Sequence, residues 1–360
     1  MAEAGTGIDL ERLAINVVRG LSMDAPHAAR SGHQGTAMAL APLAHVLWTR
    51  VMRYDPAAPD WPDRDRFILS AGHASILQYA MLHLTGYDLS LDDLRDFRQW
   101  GSATPGHPEV GHTAGIEVTT GPLGQGFANG VGMAIAEQSL RARFGPEVVD
   151  HAIYAIVSDG DLSEGVSHEA ASLAGHLGLG RLIYVYDDNH ISIDGPTELA
   201  LSDDAVGRFE SYGWQVIQLG EAAEDLDALE AALREARANE DQPSLIVLRS
   251  HIGHPSPDHV DTAAAHGLAF DDDSIRRAKD VMGLPDEAFH VPAAVADHYR
   301  DAGRRGALER ADWVERARLA LSGREAEWDA TLAGRGMPGW EASLPTFGTD
   351  EKPATRVASQ

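Results

Sequence analysis

The pattern that most constrains this chain is a series of short, continuously apolar runs at Ile153 to Val157, Leu182 to Tyr186, Gln215 to Leu219 and Leu245 to Leu248, with helical patterns between them. A strand with one wet face alternates polar and apolar residues, whereas a strand covered on both faces reads as an unbroken apolar run. The series therefore predicts an α/β fold, a parallel sheet with helices on both faces. Ligands of such sheets bind beyond the carboxyl ends of the strands. Upstream, Arg66 to Ser70 predicts a further buried strand that runs into Gly72-His73 and a helix over Ile76 to Leu84. Helices are also predicted over Asp9 to Ala29, where Leu10, Leu13, Val17 and Leu21 recur at three- and four-residue intervals, and over Ala37 to Val51. Asp225 to Ala238 carries the clearest helical stripe, Leu226, Leu229 and Leu233. A Gly- and Pro-rich loop is expected from about Gly101 to Gly124, followed by a helix to about Phe144.

Residues 1–290 are expected to hold this sheet, and 291–360 a helical extension and a linker without periodicity after Met337. The chain has 55 Asp and Glu against 29 Lys and Arg, a net charge of −26, and no Cys. Disulfides and Cys-ligated metals are thus excluded. Nucleic acid is an unsuitable partner, because phosphate neutralisation needs clustered cations. No apolar run approaches the roughly 20 residues that a bilayer span requires. The first 13 residues lack a basic segment followed by an apolar one, so a cytoplasmic location is the default expectation.

Two strand ends carry the sharpest chemical signal. Ser158-Asp159-Gly160 follows one predicted strand and Asp187-Asp188-Asn189 the next, with 28 residues between Gly160 and Asn189. Neighbouring parallel strands would bring Asp159 and Asn189 to one sheet edge. A carboxylate and an amide oxygen there are hard ligands suited to Mg²⁺ or Ca²⁺, with positions left for diphosphate oxygens, and Gly160 lets backbone approach a phosphate. Each pair taken alone is equally an ordinary turn after a strand. His33, His73, His107 and His266 form a second group, each beside a Gly, where a neutral imidazole can donate to a hydroxyl or relay a proton. His45 and His83, on predicted helices, read as structural.

An Asp-Gly followed after 25 to 30 residues by Asn is the thiamine diphosphate signature. With it, Ser31-Gly32-His33, Asp65-Arg66-Phe67, Phe97-Arg98-Gln99, Thr104-Pro105-Gly106-His107-Pro108-Glu109, Gly121-Pro122-Leu123-Gly124-Gln125-Gly126 and Asn189-His190-Ile191-Ser192-Ile193-Asp194-Gly195 stand in shared order and spacing. From about Arg19 to Gln360 the chain resembles the N-terminal, diphosphate-binding half of transketolase. The resemblance implies thiamine diphosphate and Mg²⁺ (or Ca²⁺) as cofactors and transfer of a two-carbon ketol unit from a ketose to an aldose. It implies metal ligation by Asp159, Asn189 and the backbone oxygen of Ile191. Cofactor contacts are implied for His73, His266, Gly121, Pro122, Leu123, Gly160 and Asn189, and catalytic roles for His33, His107, His266 and Glu164. Substrate would meet His33, Arg98, His107, His266 and Arg356, the last at a sugar phosphate. Glu164 would stand at the interface of paired active sites; an N-terminal helix carboxylate favoured by the dipole is the plainer reading of it. The resemblance also implies a second subunit carrying the pyrimidine-binding and C-terminal domains, in a pair of heterodimers.

Several loop positions depart from the family pattern. Gln34 stands where Pro is customary, Ser158 and His190 where Gly is, and His254-Pro255 interrupts a usual Gly-Ser turn. Ala263 takes the place of a His, and Leu268-Ala269-Phe270 that of Ala-Pro-Leu. These positions leave two alternatives open: a transketolase-like subunit of specialised metabolism acting on a modified or unphosphorylated sugar, and a non-catalytic homologue that binds or regulates a partner.

Overall fold

The computed structural model describes residues 6–359. The stretch read for a secretory pattern begins in residues 1–5 and the irregular tail ends at Gln360; those residues lie outside the described ones. Seven strands are described: β1 (Arg66–Leu69), β2 (Ile153–Ser158), β3 (Leu182–Asp187), β4 (Ile191–Ser192), β5 (Gly195–Pro196), β6 (Gln215–Gly220) and β7 (Ser244–Leu248). Five of them form one parallel sheet in the order β1-β2-β3-β7-β6, and β4 and β5 make a small antiparallel hairpin. The parallel sheet covered by helices is thus the fold that the unbroken apolar runs require.

Both faces are dry along β1, β2, β3 and β7, and the strand period divides them; β6, at the edge and with Gln215 and Gln218 in its run, is only partly buried. Phe67, Tyr154, Ile156, Ile183, Val185, Ile246 and Leu248 point into the larger core, against Thr6–Ala29, Ser75–Thr85 and Leu226–Ala238. Their neighbours Ile68, Ile153, Ala155, Leu182, Tyr184 and Leu245 point the other way, against Gln125–Phe144, Gly165–Leu177 and Ala205–Ser211. Side chains two apart share a face, so each strand serves two cores at once. Helix starts use the surplus of acid. Asp204, Asp225 and Asp271 each accept the backbone N–H three residues on, at 3.1, 3.0 and 2.8 Å. Each such cap contributes about 1 kcal/mol.

The expected single helix over Ala37 to Val51 is three pieces, Gly35–Ala39, Ala41–Val46 and a wide turn over Leu47–Val51. Pro42 explains the break, since it has no N–H for the preceding turn and restricts Ala41. The helix Ala293–Ala320 lies in the main core, where Val295 and Tyr299 are fully buried. Beyond Leu332 the chain is exposed almost throughout.

The sheet is tied at its amino edge by Asp65, which is buried just before β1. Its carboxylate accepts the N–H groups of Arg53 and Ala152, both at 2.8 Å, and the Arg237 guanidinium at 2.9 Å. Burial alone would raise its pKa; Arg237 and Arg53 outweigh that and hold it below the ordinary 3.8. A carboxylate whose pKa is depressed on folding stabilises fully above its unfolded pKa and loses that contribution as pH falls through the folded one. Asp65→Asn should cost about 3–5 kcal/mol in urea unfolding at pH 7, as expected for a broken buried ion pair. The deficit should shrink below pH 4, and an unchanged urea midpoint at pH 7 would contradict this assignment.

Candidate functional site

Ser158 and Asp187 are register partners at the ends of β2 and β3, so the residues that follow them emerge side by side at the carboxyl edge. Asp159, Gly160, Asn189 and Ile191 line one cavity of about 430 Å³ there, together with His73, Leu123 and His266. Part of its rim is the β4–β5 hairpin and the turn after it, through Ile193, Pro196 and Leu199. No Lys or Arg is among the described lining residues.

The two strand-end side chains are held by partners that fix their free atoms. Asp159 Oδ1 accepts the Tyr186 hydroxyl at 2.5 Å, while Oδ2 is buried with no hydrogen-bond partner. Asn189 donates through Nδ2 to Asp187 Oδ2 at 2.7 Å, so its amide oxygen turns the other way and accepts the Ile191 N–H at 2.9 Å. A carbonyl oxygen has two lone pairs, and one remains. Burial pushes Asp159 up to about 6 and Asp187 up to about 7. A buried carboxyl group with a bare oxygen, and with no Lys or Arg beside it among the described lining residues, is what a hard divalent ion relieves. Among the described residues no three His, Asp or Glu side chains form a metal cage, so an ion here needs amide, backbone or ligand oxygens. The residues present fit a Mg²⁺ or Ca²⁺ carrying a diphosphate.

Asp161 organises the loop above. Its Oδ1 accepts from the Ser70 hydroxyl at 2.7 Å and the Gly124 N–H at 2.8 Å, and its Oδ2 accepts from the Ser158 N–H at 2.9 Å. One carboxylate therefore clamps the end of β1, the end of β2 and the Gly121–Gly124 loop. With Ser158 it forms a capping box on the short helix Asp159–Ser163, which gives Ser158 a role that Gly could not fill. Gly72 lets the loop close in: a Cβ there would lie 2.8 Å from the Gly121 nitrogen. Leu123 faces the cavity, Pro122 is exposed, and Gly121 packs on His107, with the His107 Cγ 3.3 Å from where its Cβ would be.

Three of the four loop histidines form one cluster. The His73 and His266 rings stack at 4.7 Å, and His33 meets them edge-on at 5.4 and 5.7 Å. His33 Nδ1, His73 Nε2 and His266 Nδ1 are buried without partners. Burial and mutual repulsion lower His33 to about 4 and His73 well below its usual value; burial also lowers His107 and His266. The cluster is neutral at pH 7 and offers ring nitrogens as both donors and acceptors. Gln34 ties its loop to the His266 segment by donating to the Leu268 carbonyl, a link that Pro could not make. His190 has φ +64°, a conformation that suits Gly, and places its ring 3.1 Å from Asp188.

Arg98 also has a left-handed backbone, φ +62°, and donates to the Ser31 hydroxyl at 2.7 Å, on the His33 loop. Glu164 is exposed between the helices Asp159–Ser163 and Gly165–Leu177, beside Gly124. Arg356 lies on the exposed turn Thr355–Ala358 and does not line the cavity. His45 and His83 are structural: His45 bonds the Tyr299 hydroxyl at 2.9 Å and His83 the Leu89 carbonyl at 2.8 Å. Tyr186, Asp187 and Asp161 are the site residues that the sequence reading missed. Asp161 could have been found from the Ser-x-x-Asp spacing of a capping box.

Removing Asp187 frees the Asn189 amide to rotate. Asp187→Ala should weaken Mg²⁺-dependent thiamine diphosphate binding about 10–100-fold by calorimetry, the range for partners of metal ligands; unchanged affinity would refute the positioning role. His33 titrates lower folded than unfolded, so the unfolded chain takes up its proton first and stability falls as pH drops from 6.5 toward 4. In urea titrations at pH 7, 6 and 5, His33→Asn should flatten that decline by up to one proton; an unaltered slope would show that His33 stays as titratable as in the unfolded chain.

Residues 10–336 match the family model described as transketolase, thiamine diphosphate binding domain. A transketolase of Nostoc sp. is 49% identical over 350 residues, 95% of this chain and 52% of its own length. One from Geobacillus stearothermophilus is 47% identical, over 97% of this chain and 53% of its own length. Among solved structures, transketolase from Leishmania mexicana superposes with a TM-score of 0.90 at 43% identity, over 94% of this chain and 51% of that one. The chain spans about half the length of the relatives it matches. It has the strand-end carboxylate and amide and the histidine cluster within the matched segment, and it belongs to the transketolase family through that family's thiamine diphosphate-binding domain.

Proposed function

We propose that the chain is the diphosphate-binding subunit of a two-component transketolase that transfers a two-carbon ketol unit from a ketose or ketose phosphate to an aldose or aldose phosphate. The observation that carries the reading is the bare, buried Asp159 Oδ2 beside the oriented Asn189 amide, under three neutral histidines. Asp159, Asn189 and the backbone of Ile191 would hold Mg²⁺ or Ca²⁺, and the ion a diphosphate. Thiamine diphosphate, when bound, supplies the electron sink that lets a C–C bond next to a carbonyl break and re-form. His73 and His266 would donate to the diphosphate end. His33 and His107 would hold sugar hydroxyls and pass protons, which neutral imidazoles do in either direction.

Arg98 stands beside the His33 loop as a cation for an anionic sugar, and Arg356 would reach a sugar phosphate only if the tail folds back. The net charge of −26 repels such substrates at long range, so binding rests on the ion and these short contacts. A second subunit carrying the pyrimidine-binding and C-terminal domains would cover the site. Leu123, Ile193, Leu199 and Leu268 support this: they stand exposed around the cavity and the histidine cluster. Glu164, exposed near the Gly121–Gly124 loop, would meet the paired active site in a heterotetramer. Among the described residues no helix is long and apolar enough to cross a membrane.

A modified or unphosphorylated sugar is the second reading. The Gln34–Leu268 link and Ala263, where the family has a His, favour it, because both lie in the loops that carry His33 and His266. Ketol transfer should be assayed with the chain alone, with a second chain supplying the remaining domains, and with phosphorylated and free ketoses. Turnover should require both chains and fall at least about 1,000-fold in Asp159→Ala. Robust turnover by the lone chain would overturn the two-component reading, and absence of both turnover and thiamine diphosphate binding would favour a non-catalytic homologue.

A further inference from the structure

At the opposite, amino edge of the sheet lies a second cavity of about 630 Å³, between the segment before β1, the helix Gln125–Phe144, the residues before β2 and the helices after residue 293. Its walls include three tryptophans, Trp61, Trp313 and Trp328, each at most 8% exposed. Trp61 and Trp313 meet at a ring distance of 6.1 Å and are tilted by 60°. Met133, Leu140, Val149, Val314 and Leu332 add to the apolar lining.

The polar groups of this cavity divide into those with partners and those without. Arg64 is bidentate to Glu117 at 2.8 and 2.7 Å, Arg66 donates to the Pro62 carbonyl at 2.8 Å, and Arg310 pairs with Asp55 at 2.6 Å. Trp313 donates to the Val148 carbonyl at 2.9 Å, and His151 stands 3.4 Å from Asp63. Among the described residues three buried lining atoms make no hydrogen bond; of these, His151 Nδ1 has the Asp63 carboxylate within ion-pair reach, and the other two have no such partner. The Trp61 indole N–H is buried with no acceptor, and Glu137, 2% exposed in the middle of its helix, has a buried oxygen with no donor. Burial pushes the Glu137 carboxyl up to about 7, against the pull of Arg141 and Arg181. A buried donor and a buried acid without partners are costly, and a ligand that supplies the missing partners recovers that cost.

The occupant must therefore be largely apolar, with a flat face to pack on the indole walls, a carbonyl for Trp61 and an N–H for Glu137. A primary ammonium has no acceptor for the Trp61 N–H, and a free carboxylate has no donor for Glu137 and meets Asp60 besides. We propose that this cavity is a second ligand site of the domain, distinct from the diphosphate site, which binds a neutral aromatic carboxamide or lactam. Its volume lies within the range of about 300–1,000 Å³ of small-molecule sites, and its mixture of aromatic walls and few polar groups matches theirs.

Benzamide is the probe, titrated against the full chain by calorimetry and tryptophan fluorescence, with benzoate and benzylamine as comparators. Saturable one-to-one binding is expected, at least about tenfold tighter than either comparator. Glu137→Leu should weaken benzamide about tenfold or more, as loss of a hydrogen bond at 1.4 kcal/mol per decade would, with thermal stability retained. Ala136→Trp, an exposed lining position, should fill the cavity and abolish binding without unfolding the chain. Asp159→Ala should leave benzamide affinity unchanged, which separates this site from the diphosphate cavity. No saturable binding, or equal affinity in wild type and Ala136→Trp, would overturn the proposal.

Discussion

The candidate site depends on one unmet electrostatic demand: a carboxylate oxygen buried at the end of a strand, bonded to nothing. Burying such a group costs several kcal/mol unless something compensates it. Around Asp159 the compensation does not come from Lys or Arg, since none lines the cavity among the described residues. Tyr186 takes one oxygen and leaves the other, while Asp187 turns the neighbouring amide so that its oxygen is the atom on offer. The parallel pairing of β2 and β3 makes the arrangement possible, because it delivers Ser158 and Asp187 in register to one edge. Everything else at the site is placed relative to this pair.

The fold was largely legible in the residues. Unbroken apolar strands imply two covered faces, and the alternation of Tyr154 and Ile156 against Ile153 and Ala155 between two cores realises that implication. Of four residues that line one cavity, Asp159 and Asn189 were legible from two consecutive strand ends, and His73 and His266 from their Gly-flanked segments. Asp161 and Asp187 were not. They act on protein groups rather than on a ligand, and a buried Asp that clamps a loop has the same one-letter signature as an Asp in a turn. The break at Leu40 was missed because the apolar pattern continues across it, although Pro42 carried the signal. Arg356 shows a different limit: it lies outside residues 10–336, where the family model matches, on an exposed turn. Its place at a sugar phosphate rests on resemblance alone.

The departures from the family pattern acquire physical meaning in three dimensions. Ser158 caps a helix, Gln34 links two histidine loops, and His190 adopts a left-handed backbone beside Asp188. The first leaves Asp159 Oδ2 bare, since Ser158 bonds Asp161 rather than Asp159. The second joins the segments that carry His33 and His266, away from Asp159 and Asn189, so the two groups of residues can vary separately. A similar separation holds across the sheet, where one edge gathers carboxylates and imidazoles and the other gathers tryptophans around Glu137.

If Asp159 and Asn189 share one ion, a crystal structure of the chain grown with thiamine diphosphate and Ca²⁺ will show it. A single Ca²⁺ is expected about 2.3–2.6 Å from both Asp159 Oδ2 and Asn189 Oδ1, bridged to the diphosphate. A diphosphate bound elsewhere, or an ion that touches neither side chain, would contradict it.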